Sequence, residues 1–213
     1  MLLSDPGGLF QEEIMENKEP KGLVTEAKNQ VVSAVQGVGD VAGATVDAVS
    51  NTIVRALKGT RAASTELVGL TVDTVTGAVK GVAEVGMEVG DSAKHIMVGA
   101  LRGAQQVGTA GVDTVSTSAA ALVKGTSEVG GNVGKAAKGA VEGAIVAARD
   151  LGVSAEAAAS AAGTGALRAA GEVGSTAVDQ VRNVLQKGVS GVKVVLREPF
   201  ETRKHIPQSP QNL

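Results

Sequence analysis

The sequence contains no cysteine, tryptophan or tyrosine, and only two phenylalanines among its 213 residues. Without cysteine the chain has no disulfide, no thiolate nucleophile and no zinc–thiolate site. Aromatic side chains bury the largest area per residue in most protein cores. Here the apolar share of 43% comes mainly from Ala and Val, and such small side chains favour a thin or extended interface over a thick globular core.

Long apolar runs are also missing. The longest uncharged Ala-rich stretch, 157–167, is much shorter than the roughly 20 residues that a membrane-spanning helix needs. No basic and apolar leader follows Met1. We therefore expect a cytoplasmic protein that does not span a membrane and that lies peripheral to a membrane or to a lipid or storage body.

Proline is absent from residues 21–198, and its placement divides the chain into three parts. The predicted parts are a flexible N-terminal segment, 1–22, with a short amphipathic stretch, a Gly/Ala/Val-rich helical repeat array, 23–197, and a flexible Pro-containing tail, 198–213. Two interpretations of the ends stay open, since frayed termini and docking peptides both fit them.

The middle part repeats every 22 residues. Gly-Ala-Val-Lys-Gly at 77–81 returns as Gly-Ala-Leu-Arg-Gly at 99–103 and as Ala-Leu-Val-Lys-Gly at 121–125. Glu-Val-Gly at 84–86 returns in the same step as Gln-Val-Gly at 106–108, Glu-Val-Gly at 128–130, Asp-Leu-Gly at 150–152 and Glu-Val-Gly at 172–174. Each unit divides into two 11-residue halves, and 11 residues over three turns is close to the 3.6 residues per turn of an α-helix.

On an 11-residue wheel the apolar positions form one contiguous arc, which is typical of an amphipathic helix. The predicted fold is all-α: a long helix, continuous over roughly 250 Å or folded into hairpins with Gly130-Gly131 as the favoured break, and packed in a bundle or filament. The residues expected to face a lipid or a partner are Val35, Val46, Leu57, Val68, Val79, Val85, Ile96, Leu101, Val107, Val112, Val123, Val129, Ile145, Leu151, Leu167 and Val173.

Glycine spacings of one helical turn are frequent, and small residues at that spacing allow two helix backbones to approach closely. The expected close-packing positions are Gly77, Gly81, Gly99, Gly103, Gly125, Gly143 and Gly165. The alternative is that such pairs arise by chance, because glycine is frequent in the repeat.

Glycine also makes the helix weak by itself. The array from 33 to 196 holds 26 of the 29 glycines, and each costs about 1 kcal/mol relative to Ala inside a helix. An isolated helix of this composition is therefore poorly formed in water. The apolar arc needs a partner, which is a lipid surface, another copy, or another segment of the same chain.

Charge and motif content argue against nucleic acid and catalysis. Residues 33–196 include 14 basic and 14 acidic residues, so this part of the array lacks the basic stripe that phosphate binding needs. The stretch 37–42 matches a loose dinucleotide fingerprint but lacks the acidic residue that should follow. His95 and His205 have no second ligand or base nearby in the sequence. We expect no enzyme activity, no cofactor and no metal.

The segment 74–86, Thr-Val-Thr-Gly-Ala-Val-Lys-Gly-Val-Ala-Glu-Val-Gly, resembles the 11-residue repeats of synucleins. Gly-Val-Asp-Thr-Val at 111–115 resembles perilipin repeats. The resemblance covers about 32–196 and implies a chain that forms extended helix on vesicles or lipid droplets. Fewer charges than in synuclein repeats and more one-turn glycine pairs are the two departures.

Two functions follow as hypotheses. The first is a surface-coating protein whose repeats bind a membrane, lipid droplet or storage granule and stabilise or shape it. The second is a self-assembling structural protein, a homo-oligomer that forms a bundle, sheath or filament through its Gly/Ala faces. A stress-protective or ice-active helix is a third interpretation, which the irregular Thr spacing disfavours.

Overall fold

A computed structural model of the chain describes residues 20–36, 39–58 and 64–195. These residues form eight α-helices, which are α1 (Pro20–Gln36), α2 (Val41–Lys58), α3 (Ser64–Glu84), α4 (Val89–Gln106), α5 (Val112–Glu128), α6 (Val133–Ala148), α7 (Ala155–Val173) and α8 (Ser175–Gln186). The predicted all-α class is confirmed. Helix α1 begins at Pro20, where the fixed φ of proline suits a first turn. The amphipathic stretch near the N-terminus and the tail, 198–213, lie outside the described residues.

Most helices end at a glycine that recurs every 22 residues. Gly86, Gly108, Gly130 and Gly152 have φ between 67° and 76°, a left-handed conformation that glycine adopts without a steric cost. At the first of them the Gly86 N–H donates to the Ala83 carbonyl at 3.0 Å and the Met87 N–H donates to Val82 at 3.1 Å. This pair of bonds is a Schellman motif, which satisfies the last helical carbonyls and turns the chain.

Helix starts are fixed by side-chain caps at some of the same turns. The Asn132 side chain accepts a hydrogen bond from the Lys135 N–H at 2.9 Å, and Ser154 accepts one from Ala157 at 3.1 Å. Such caps satisfy N–H groups that have no partner inside the helix. A helix, a glycine turn and a new helix start therefore fit into each 22 residues.

The helices pack in two layers. The most extensive contacts join helices two apart in the chain, α1 with α3, α2 with α4, α4 with α6 and α5 with α7, and each helix also contacts its neighbour in sequence. The odd-numbered helices form one layer and the even-numbered helices the other. The core between and within the layers is built mostly of Ala and Val, with Ile53, Met97 and Leu122 among its largest side chains.

The single long helix, which was one form of the prediction, is not formed in the described residues. The chain turns at Gly130-Gly131, the favoured break, but it turns in the same way at Gly86, Gly108 and Gly152. A helix continued through these positions would give up the capping bonds and would leave its apolar face uncovered. The helix-against-helix packing of the prediction is present, as short helices in place of long hairpins.

Candidate functional site

The faces through which the helices pack are the candidate site, because they hold most of the residues singled out in the sequence. Where α3 crosses α1, a β-carbon on Gly77 would collide with the Val24 carbonyl oxygen, and one on Gly81 would lie 2.8 Å from the Lys28 carbonyl oxygen. Both distances are too short for any side chain. Only glycine permits this approach of the two backbones.

The same contact recurs where α4 crosses α2. A β-carbon on Gly99 would lie 2.7 Å from the Val46 carbonyl oxygen, and one on Gly103 would lie 2.9 Å from the β-carbon of Ile53. In both crossings the contacted residues advance together along the two helices. Helices two apart in the chain therefore run parallel, and a pair of glycines one turn apart fixes their register.

The later crossings keep glycine at the contact. On α6, Gly143 would place a β-carbon 2.7 Å from the Lys94 carbonyl oxygen, and on α7 a β-carbon on Gly165 would collide with the backbone of Ser116 in α5. Gly139 was not among the expected close-packing positions, yet its β-carbon would lie 2.7 Å from that of Ala93. The Gly139/Gly143 spacing in the sequence carries that signal.

The crossing of α5 on α3 is looser. A β-carbon on Gly125 would lie 3.5 Å from the Val79 side chain, which is ordinary van der Waals contact. The position equivalent to Gly77 and Gly99 is occupied by Ala121. A shallow groove of about 400 Å³ lies near the N-terminal ends of these two helices, lined in part by Val68, Thr71, Asp113, Thr114 and Thr117.

Ion pairs lie on the solvent-exposed side of these helix crossings. Lys80 and Glu128 are 3.5 Å apart, Arg102 and Asp150 are 3.7 Å apart, and Lys124 and Glu172 are 3.7 Å apart. In each pair the acidic residue lies the same number of positions downstream, so the pairs form a repeating ladder between units two apart. All of these side chains are well exposed, and each pair contributes under about 1 kcal/mol to folding.

Among the described residues, Asp73 and Lys135 have pKa values that differ from their ordinary values. Partial burial raises the pKa of the Asp73 carboxyl on α3. Lys135 Nζ donates to Glu88 Oε1 at 2.7 Å, and this bond raises the pKa of the exposed Lys135 ammonium. Within the described ranges no group of three or more His, Cys, Asp or Glu side chains is placed to hold a metal ion.

The predicted lipid- or partner-facing residues occupy three environments. The buried ones are Val46, Val79, Ile96, Leu101, Val123 and Leu167. The half-buried ones are Val35, Val85, Val107, Val129, Ile145 and Leu151. Val68, Val112 and Val173 are exposed, and Leu57 lies in α2 with its side chain outside the description.

The 11-residue wheel places these residues on one arc, whereas in the structure they lie in different environments. Val79 and Leu101 are fully buried, whereas Val112, at the same wheel position, is 46% exposed. Val85 and Val129 lie in the turns after α3 and α5, where no helical face exists. The two halves of each unit are therefore not equivalent, because one half contains the turn.

No protein-family profile, curated protein or solved structure matches the chain. Among the helices of the described residues, none is both long and apolar enough to cross a bilayer.

Proposed function

We propose that the chain is a non-catalytic structural protein, a finite stack of short helices that closes its own apolar faces and serves as a scaffold through its polar surfaces. The observation that supports this most strongly is the close helix contact made by Gly77, Gly99, Gly143 and Gly165, each against another helix of the same chain. The partner that the weak, glycine-rich helix requires is then an earlier segment of the chain itself.

The two ends of the stack support a finite assembly. The register position held by Gly77 and Gly99 in inner helices is held by Ser33 in α1 and by Arg55 in α2, and both are exposed. At the other end, α8 exposes Asp179, Gln180, Asn183 and Gln186. Stacked repeat proteins need such polar terminal units to stay soluble. Assembly of a filament through the glycine faces would first require the helix pairs within each chain to separate.

Lipid coating is the second candidate, and the small size of the core side chains favours it. Ala is the commonest buried residue among those described, and Val is next, so each helix pair buries little apolar area and lipid chains offer a ready substitute. Coating would require the stack to open. The synuclein- and perilipin-like behaviour, and a peripheral cytoplasmic location, belong to this second proposal.

Substitutions at two residues that share one position of the 11-residue wheel distinguish the scaffold function from lipid coating. Val79→Asp would bury a charge at a fully covered site, and Val112→Asp would place one where the side chain is 46% exposed. A scaffold predicts that the first substitution lowers stability by about 3 kcal/mol or more and that the second is nearly neutral. Lipid coating predicts that both weaken vesicle binding to a similar extent.

The measurement is circular dichroism with sedimentation velocity on the wild-type chain and both variants, in buffer and with neutral and anionic vesicles. We expect a helical monomer in lipid-free buffer at micromolar concentration, cooperative melting, and a loss of stability confined to Val79→Asp. Helix that forms only after vesicles are added would overturn the scaffold function and favour coating. Helix that rises with protein concentration would favour self-assembly instead.

A further inference from the structure

The crossing of α3 and α5 differs from the other crossings inside the stack. A β-carbon on Gly125 would lie 3.5 Å from the Val79 side chain, an ordinary contact. At the α1/α3, α2/α4, α4/α6 and α5/α7 crossings, a β-carbon on the contacting glycines would lie 2.9 Å or less from the facing helix. The α6/α8 crossing is also ordinary, 3.4 Å at Gly134, but it only joins the last helix. Among the described helices, the loose crossing that divides the stack in two, α1–α4 and α5–α8, is α3/α5.

Space between α3 and α5 is already open at one end of the crossing. The groove of about 400 Å³ lies at the N-terminal ends of both helices, and its lining includes Val68, Thr71 and Thr117. Val68 is 40% exposed, so water reaches an apolar side chain between the two helices. Side chains beside such a space lack partner atoms on one side and lose dispersion contacts there. The crossing is therefore weakest where the groove enters it.

The two layers differ in how closely they are joined at this place. In the layer of odd-numbered helices, an ion pair connects α3 with α5, with Lys80 Nζ 3.5 Å from Glu128 Oε2, and exposed pairs of this kind contribute little to stability. In the other layer, a β-carbon on Gly139 of α6 would lie 2.7 Å from that of Ala93 on α4. Separation of α3 from α5 thus leaves the close α4/α6 contact as a hinge.

We propose that the closed stack opens locally at the α3/α5 crossing, with the α4/α6 pair as the hinge, and closes again without unfolding its helices. Opening uncovers Val79 and, one turn earlier on the same face of α3, Val75, both fully buried in the closed stack. Local openings of this kind require less free energy than global unfolding. The inference rests on the closed stack of the proposed function, and it adds the place at which that stack exposes apolar side chains.

Single cysteines report the opening, because the chain has no cysteine of its own. Val79→Cys places a thiol at the α3/α5 crossing. Val49→Cys is the matched control, since Val49 is also fully buried and its β-carbon lies 2.9 Å from one built on Gly99 at the α2/α4 crossing. Met97→Cys places a thiol at the hinge, where the Met97 β-carbon lies 2.7 Å from one built on Gly143.

The measurement is thiol labelling of the full chain with iodoacetamide, in lipid-free buffer and in increasing urea, followed by mass spectrometry. The labelling rate, divided by the rate of the same variant in denaturing urea, gives the population of the open form when closing is faster than labelling. Its dependence on urea measures the surface that the opening exposes. Urea unfolding followed by circular dichroism gives the global unfolding of each variant for comparison.

The thiol of Val79→Cys should be labelled at least about tenfold faster than global unfolding of that variant allows, and with a weaker dependence on urea. The thiols of Val49→Cys and Met97→Cys should be labelled only through global unfolding. Val75→Cys repeats the test one turn away and should behave as Val79→Cys. It takes the place of Val79→Cys if that substitution prevents folding.

Labelling of both α3 thiols at the rate set by global unfolding would overturn the proposal. Equally fast labelling of Val49→Cys would overturn it too, because the first helices would then fray together. So would fast labelling of Met97→Cys, because the α4/α6 pair would then not be a hinge. The scaffold function fails differently: a wild-type chain without helix in lipid-free buffer contradicts the scaffold, whereas a stably helical chain with protected α3 thiols contradicts the local opening alone.

Discussion

At the scale of single residues, glycine has two distinct roles in this chain. One set lies inside helices, where the missing side chain lets two backbones touch, as at Gly99 and Gly143. The other set ends helices at positive φ, as at Gly130 and Gly152, where a β-carbon would meet no neighbour within 4 Å. Composition counts both sets as a destabilising cost. The structure separates the positions that need close contact from those that need a left-handed backbone.

Two alanine substitutions inside helices should have opposite effects. In Gly99→Ala the new methyl group would meet the Val46 carbonyl oxygen at 2.7 Å, and overpacking of this kind costs about 1–3 kcal/mol. Gly69 is also helical, but a β-carbon there meets nothing within 4 Å, so Gly69→Ala should stabilise by roughly 0.5–1 kcal/mol. Urea unfolding of both variants measures the two changes. Equal effects of the same sign would show that the close crossing of α4 on α2 is absent.

A substitution in a turn tests backbone conformation without any clash. Gly130 has a φ of 71°, which costs a residue with a β-carbon about 1–2 kcal/mol. Gly130→Ala should therefore lower the free energy of unfolding by about that amount, and Gly130→Asn by less, because Asn tolerates this region better. Thermal melts of the two variants give the comparison. An Ala variant as stable as the wild type would indicate that the helix continues through residue 130.

At the scale of the helix, the sequence predicts the class of structure better than its boundaries. Apolar periodicity indicates helix throughout the array, and the described residues are helical almost everywhere outside the turns. The boundaries were available in the recurring Glu-Val-Gly signal, since glycine after a helical run is a stop signal. The 11-residue wheel assigns the valines of this signal to the apolar arc instead, because a helix that continued through the glycine would keep the same periodicity. Local pattern cannot tell a tolerated glycine from one at positive φ.

The ladder of ion pairs gives a prediction at the level of helix pairs. Lys80→Glu should repel Glu128, which is 3.5 Å from Lys80 Nζ, and should lower the free energy of unfolding by under about 1 kcal/mol because both groups are exposed. Adding Glu128→Lys should restore most of that loss. A double-mutant cycle at low and high salt measures the coupling. If the coupling is absent at low salt, α3 and α5 do not hold these two charges side by side.

At the scale of the whole molecule, the sequence requires that the apolar arc be covered but does not identify the cover. Lipid, a second copy and the same chain are all compatible with the pattern of Val and Ala. The difference lies in long-range contacts, such as Gly81 on Lys28 and Gly103 on Ser50, which only the folded chain brings together. The replacement of inner glycines by Ser33 and Arg55 in the first two helices is the sequence feature that indicates an end to the stack. This feature can be interpreted only when the helix crossings at Gly77 and Gly99 show which register position makes the close contact.

Small-angle X-ray scattering of the dilute chain without lipid tests most directly whether the helices close on one another within one molecule. A compact chain of this length has a radius of gyration of about 17 Å, and a slightly elongated stack stays below about 30 Å. A continuous helix of roughly 250 Å would give about 70 Å, and an unfolded chain about 50 Å. We predict a monomer below about 30 Å; a monomer near either larger value would contradict the two-layer stack.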